Sequence, residues 1–308
     1  MMVGEWLRAI GVVSTVDLLR IEHLRDDLDT TARAAAGLIR SHADPALSLP
    51  LRLSKSLLAN LESCERRALA VAGSGSDLEM SAPMLAGRAL DQFVAHRLFV
   101  GRVLEPLPVL DEMFDACGDQ EAHDALAQME KADAVDLLEP MAAAADAWAD
   151  VDEDWQPRLQ SRAVAMFADG DVICSGVLDV ELGGAGTPHP GVVVEVKSGS
   201  VASSHAHEVY LYALLVALRD RRAPAVVARW YPGKMPAGVE VTDGLLSSTT
   251  ERLRDAMMRW SELTCGDPPA ERPGPWCDWC PELTDCQVGT TAVANRGEVA
   301  NGGDVDSR

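Results

Sequence analysis

The sequence predicts an α/β protein, and three observations carry that prediction. Val172–Leu182 and Gly191–Lys197 are apolar, β-branched runs on either side of a Gly/Pro-rich turn, so they read as neighbouring strands. Ser203–Arg222 then changes to helical spacing, and Ala225–Tyr231 returns to a strand-like run. Upstream, Leu18, Ile21, Leu24 and Leu28 recur at helical intervals, as do Leu57, Leu58, Leu61 and Leu69.

The stretch from Gly176 to Tyr212 holds the densest chemistry. Side chains at i and i+2 of a strand share a face, so Glu195 and Lys197 point the same way with Val196 opposite. Asp179 lies near the end of the preceding strand. If the two strands pair as a hairpin, two carboxylates and one ammonium converge. Paired carboxylates suit a hard divalent cation, and a cation with a lysine beside it suits phosphodiester hydrolysis. Glu208 and Tyr212 stand at i and i+4 on the following helix, on one face of it.

Asp179, then Glu195-Val196-Lys197, then Glu208-x-x-x-Tyr212 resembles the motif order of the PD-(D/E)XK nuclease superfamily, in its RecB-like branch. That branch carries Gln-x-x-x-Tyr, and here Glu208 replaces the Gln. Gly87-Arg88-Ala89-Leu90-Asp91 is similar to the branch's Gly-x-x-x-His element, with Asp91 at the His position, where a carboxylate still suits Mg²⁺ or Mn²⁺. The resemblance implies a restriction-endonuclease-like three-layer core around a central mixed sheet. It also implies Mg²⁺- or Mn²⁺-dependent cleavage of DNA that has a free or single-stranded end. Asp91, Asp179 and Glu195 would hold the metal. Lys197 would position or help activate the water, and Glu208 and Tyr212 would orient Lys197 or the phosphate. No GxxxxGK[ST] motif occurs, so any helicase or processing partner would be a separate chain.

The cysteines form the second signal. Cys277, Cys280 and Cys286 follow the spacing C-x2-C-x5-C, and three thiols in ten residues call for a soft metal and a fourth ligand. Ser54, Ser56, Leu57, Cys64 and Arg66 match an S-x-S-x-L…C-P-R segment of cluster-bearing RecB-like nucleases of the AddB and CRISPR-associated types, with Glu65 in place of the Pro. That resemblance implies that Cys64, Cys277, Cys280 and Cys286 bind a 4Fe–4S cluster as a staple. Zn²⁺ is the alternative. Cys117, Cys174 and Cys265 read as ordinary free thiols.

The remaining elements follow in order. Ser14 or Thr15 is placed to cap the first long helix. Leu53–Ala70 reads as one helix with Ser54 as N-cap and Cys64 inside it, and a second helix runs from Pro83 to Val100. Asp169-Gly170 between Arg158–Ala168 and Val172–Leu182 is a hairpin signal. Val239–Thr242 reads as a strand, Gly244–Leu263 as a helix, and 288–308 as an unstructured tail. The domain reading is a helical N-terminal region over 1–50, a nuclease domain over 51–287 ending in a cysteine-rich segment at 275–287, and the tail.

The formal net charge of −21 argues against a nucleic-acid partner until its distribution is counted. Val103–Trp155 holds 16 acids and one base, a net of −15, which leaves −6 for the rest. That segment is expected to form an acidic helical insertion. Basic clusters remain elsewhere, at Arg52, Lys55, Arg66 and Arg67 and again at Arg219, Arg221, Arg222, Arg229 and Lys234. No apolar run of membrane-spanning length and no secretory leader is present, and seven cysteines in odd number do not form a secreted disulfide framework, so a reducing cytoplasm is expected. Two other classes fit these features: a DNA-binding module of the same fold with little or no catalysis, and a zinc-stapled nucleic-acid adaptor.

Overall fold

The structure is a computed structural model and describes residues 2–42, 49–73, 81–101, 106–129, 133–199, 201 and 205–301. In chain order the elements are α1 (Val3–Arg8), α2 (Leu18–Ser41), β1 (Leu51–Ser54), α3 (Lys55–Ser63), α4 (Glu65–Gly73), α5 (Ala82–Phe99), α6 (Pro106–Cys117), α7 (Gln120–Ala127), α8 (Asp133–Ala147), β2 (Arg158–Phe167), β3 (Val172–Leu182), β4 (Val192–Val196), α9 (His205–Asp220), β5 (Val226–Trp230), β6 (Ala237–Glu240), α10 (Asp243–Thr264) and α11 (Gln287–Asn301). Among the described residues six strands form a mixed sheet in the order β1-β3-β4-β5-β6, with β2 also on β3. The chain divides into two compact units. The first is 1–25, 78–165 and 175–250, and the second is 26–77, 166–174 and 251–308.

In the first unit β3 and β4 are antiparallel, β4 and β5 are parallel, and β5 and β6 are antiparallel. Strand alternation sorts the side chains. Val180 and Leu182 of β3, Val192, Val194 and Val196 of β4, and Val226, Ala228 and Trp230 of β5 enter one apolar cluster with residues of α5, α6, α7 and α8. The acidic insertion is therefore helical, as its composition predicts, and its apolar stripe forms one outer layer on the sheet. Trp148 of this layer meets Trp230 edge to face, with centroids 5.7 Å apart. Helix α9 packs on β4 and β5 and supplies the crossover between these parallel strands. The opposite alternation set therefore faces α9.

The described residues up to Arg25 belong to this unit. Val3 and Leu7 are buried in the same cluster, and Asp150 accepts from Gly4 N at 2.8 Å and from Arg8 at 2.9 Å. The first long helix begins at Leu18, and it is Asp17, not the expected Ser14 or Thr15, that accepts from the Arg20 amide, at 2.8 Å.

In the second unit, Leu57, Leu61, Ala68 and Leu69 pack with Ala256, Trp260 and Leu263 of α10. The expected single helix over 53–70 is two. Ser54 caps α3 through Leu57 N at 3.1 Å, as the sequence predicts, but the helix stops at Cys64, whose backbone is extended (φ −163°, ψ 118°) before α4 begins. The tail also departs from expectation, because α11 continues helical from Gln287 to Asn301. Among the described residues no helix is long and apolar enough to cross a membrane.

Candidate active site

The sheet places the acidic residues by register. Val180 pairs with Val194 and Glu181 with Val193, so the next step sets Asp179 beside Glu195 on the face turned to α9. Beyond that point the antiparallel ladder stops, and the Asp179 carboxylate takes its place by accepting the Val196 amide at 2.8 Å. This contact holds Asp179 at the point where β3 and β4 part. Glu195 is 2% exposed. Lys197 lies just past the end of β4, where its amide still donates to Trp230 O at 2.9 Å. Its Nζ donates to Glu195 Oε1 at 2.8 Å and to Glu208 Oε2 at 2.6 Å.

Helix α9 brings Glu208 and Tyr212 down on the same side, one turn apart. Tyr212 is buried, and its hydroxyl donates to Val177 O at 2.7 Å. The ring reaches β3 only because position 176 is glycine, since a Cβ there would lie 2.5 Å from Tyr212 Cε1. Two turns further on, Arg219 donates to Glu181 at 2.7 Å. Glu181 is 3% exposed and also accepts from Ser161 at 2.6 Å. Asp220 and then Glu181 hold the Arg219 guanidinium firmly in its charged form, with its pKa above the ordinary arginine value. Thus α9 is bolted to β3 at one end through Arg219 and joined to β4 at the other through Glu208.

Asp179, Glu195, Lys197, Glu208 and Tyr212 are therefore assembled between β3, β4 and α9. Asp91 is on a different element, α5. It lies one turn beyond Gly87 on α5, and a Cβ at Gly87 would meet Ser198 Oγ at 3.6 Å, so this side of α5 borders the segment after Lys197. Among the described residues no three His, Cys, Asp or Glu side chains stand as a group able to hold a metal ion, and Asp91 does not complete one with Asp179 and Glu195. Two further polar residues lie on the α9 face: Arg229, which the sequence places only in a basic cluster, and Glu181, which it does not single out. Arg229 interrupts the otherwise apolar strand β5, which is the signal that points to it.

The cysteine segment belongs to the second unit. Cys64, Cys277, Cys280 and Cys286 line one cavity of about 10 Å³, together with Arg66, Arg67 and Arg272. The thiols accept from backbone amides, Gly274 N to Cys277 Sγ at 3.4 Å and Gly289 N to Cys286 Sγ at 3.3 Å. Polar contacts fix the surrounding segments. Arg66 donates to Asp285 O at 2.8 Å, Arg67 to Trp276 O at 2.7 Å, and Glu65 accepts from Arg259 at 2.7 Å and from Ala270 N at 2.8 Å. The Arg259 hydrogen bond holds the Glu65 carboxyl below the ordinary glutamate range, against the opposing effect of burial. Cys174 lies apart from this group and is fully buried, and burial pushes its thiol up to about 12.

No protein-family model matches the chain, and no curated protein matches it significantly. Among solved structures, a protein described as "Putative exonuclease" from Eubacterium rectale is similar at 14% identity, covering 77% of this chain and 88% of that one, with a TM-score of 0.48. A second, SSO0001, is similar at 10% identity over 84% of this chain and 95% of that one, with a TM-score of 0.36. Neither likeness is close enough to transfer the role of a residue.

Proposed function

We propose that this chain is a metal-dependent deoxyribonuclease of the exonuclease type. The observation that carries the reading is the set Asp179, Glu195, Lys197 and Glu208, gathered at the carboxyl end of β4 under α9. A hard cation fits these residues by donor chemistry, because Mg²⁺ is commonly held by one or two carboxylates with waters and substrate phosphate completing the shell. Asp179 and Glu195 would hold it, with Asp91 as a candidate third ligand. When bound, Mg²⁺ or Mn²⁺ would polarise the phosphate and lower the pKa of a coordinated water.

The chain's own groups do the rest. Asp179 is oriented by the Val196 amide, so its second oxygen has a set direction. Lys197 supplies a positive charge at the mouth of an acidic site and can neutralise charge that builds on a phosphate oxygen. Glu208 holds Lys197 from the helix side, and Tyr212 keeps that turn of α9 against β3.

The four cysteines suit a soft metal by ligand type and line a common cavity, but as they stand no three of them form a group able to hold an ion. A 4Fe–4S cluster and a single Zn²⁺ are the two groups that four thiolates would suit. Iron, sulfide and zinc analysis of anaerobically purified protein separates the two.

The deciding experiment is digestion of end-labelled single- and double-stranded DNA with Mg²⁺, Mn²⁺ or chelator. Metal-dependent shortening by wild type that disappears in Asp179→Asn and Glu195→Gln is the expected result. Metal-dependent DNA binding without cleavage would replace the enzyme by a binding module.

A further inference from the structure

The parallel pairing of β4 with β5 sets Glu195 opposite Arg229. Residues paired across neighbouring strands carry their side chains on one face. On β5 the flanking residues Ala228 and Trp230 enter the apolar cluster under α5–α8, so Arg229 faces the other way, towards α9. Three adjacent strands thus present Asp179, Glu195 and Arg229 in a row, with neighbouring strands about 4.8 Å apart. An arginine in the otherwise apolar run Val226–Trp230 carries a desolvation cost that a valine there would avoid.

Position then narrows the role. Glu195 and Arg229 both lie one residue short of the carboxyl ends of two parallel strands, the edge where open α/β sheets receive ligands. On its far side Arg229 pairs with Ala237, a small exposed residue of β6. The row therefore begins in carboxylates and opens, past Arg229, onto an exposed edge strand with Lys234 exposed in the connecting turn. A polyanion approaching Asp179, Glu195 and Glu208 meets repulsion from all three. A guanidinium one strand further offers a fixed two-pronged donor matched to phosphate oxygens.

We propose that Arg229 binds a backbone phosphate of the polynucleotide, next to the phosphate that is cut, and so sets the direction in which the strand crosses the carboxylates. This rests on the nuclease reading for the identity of the polymer. The competing role is purely internal, with Arg229 serving to hold Glu195 in place.

The test compares wild type, Arg229→Gln and Arg229→Lys in cleavage kinetics, and the same two substitutions in an Asp179→Asn background in DNA binding across a salt series. The expected result is a KM raised about tenfold in Arg229→Gln with kcat changed far less. The slope of log affinity against log salt should fall by about 0.7–0.9, one phosphate contact. Arg229→Lys should keep the slope and recover only part of the KM, and it serves alone if the Gln variant does not fold. Unchanged KM and slope overturn the proposal. So does a loss of kcat and melting temperature with the slope unchanged, which assigns Arg229 to Glu195. If wild type binds DNA without cutting it and the slope still depends on Arg229, the phosphate contact stands and the nuclease reading fails. If wild type neither cuts nor binds, both fall.

Discussion

Glu208 on α9 meets Lys197 at 2.6 Å, closer than Lys197 lies to Glu195 on its own strand. The helix and the strand therefore both hold the ammonium. Glu208→Gln keeps a hydrogen-bonding oxygen and should retain most cleavage activity. Glu208→Ala leaves a part-buried ammonium short of a partner and should destabilise the first unit by about 1–3 kcal/mol and reduce cleavage at least tenfold. Thermal melts alongside steady-state rates check both. Equal rates in the Ala variant and wild type would remove Glu208 from the site.

Tyr212 and Gly176 are a matched pair. Gly176→Ala puts a methyl into the tyrosine ring and should cost about 1–3 kcal/mol by overpacking. Tyr212→Phe loses the bond to Val177 O and should cost about 1 kcal/mol. Denaturant midpoints measure each. A Gly176→Ala protein as stable as wild type would show that the ring does not pack there.

The Glu65–Arg259 contact should appear as a pH-dependent stability. The folded carboxyl is held below the ordinary glutamate value, so its stabilisation is full above about pH 4.3, the unfolded value. It is lost as pH falls through the lower folded value. Melting temperatures of wild type and Glu65→Gln should differ most near neutrality and converge in acid. A gap that stays constant from pH 7 to pH 3 would refute the linkage.

Thiol chemistry should sort the cysteines by environment. Cys117 is exposed and should alkylate in the native state, whereas Cys174 should react only on unfolding. The raised Cys174 value also has a sign. Its contribution is full below about pH 8.5, where the unfolded thiol stays protonated, and is lost as pH rises towards about 12. Mass spectrometry after native and denatured labelling tests the first point. Cys174→Ala, with a flatter stability curve between pH 8.5 and 10, tests the second.

Metal content tests the staple. Cys64→Ala should lose bound metal, and Cys117→Ala, Cys174→Ala and Cys265→Ala should keep it. Arg66, Arg67 and Glu65 fasten the segments around Cys64 to those around Cys277 and Cys286 without using a thiol, so Cys64→Ala should stay folded. Limited proteolysis near 270–286 reads this directly. Rapid cleavage there in the metal-free variant would mean that the metal alone closes the segment.

The sequence by itself determined what is local. The apolar, β-branched runs Val192–Val196 and Val226–Trp230, the helical spacing of Glu208 and Tyr212, and the Ser54 cap all follow from interactions between residues close in the chain. Hence the strand pair carrying Asp179 and Glu195 and the shared face of Glu195 and Lys197 were legible beforehand. Tertiary structure alone decided the rest, because it depends on which distant segments meet. The break that leaves Cys64 extended coincides with Cys64 and Glu65 contacts to Ala270, 205 or more residues away. The place of Arg229 beside Glu195 is a cross-strand register set by the α9 crossover, and no periodicity within Val226–Trp230 encodes it. The described residues up to Arg25 join the core unit because Val3 and Leu7 find an apolar cluster that most of their own neighbours in sequence do not supply.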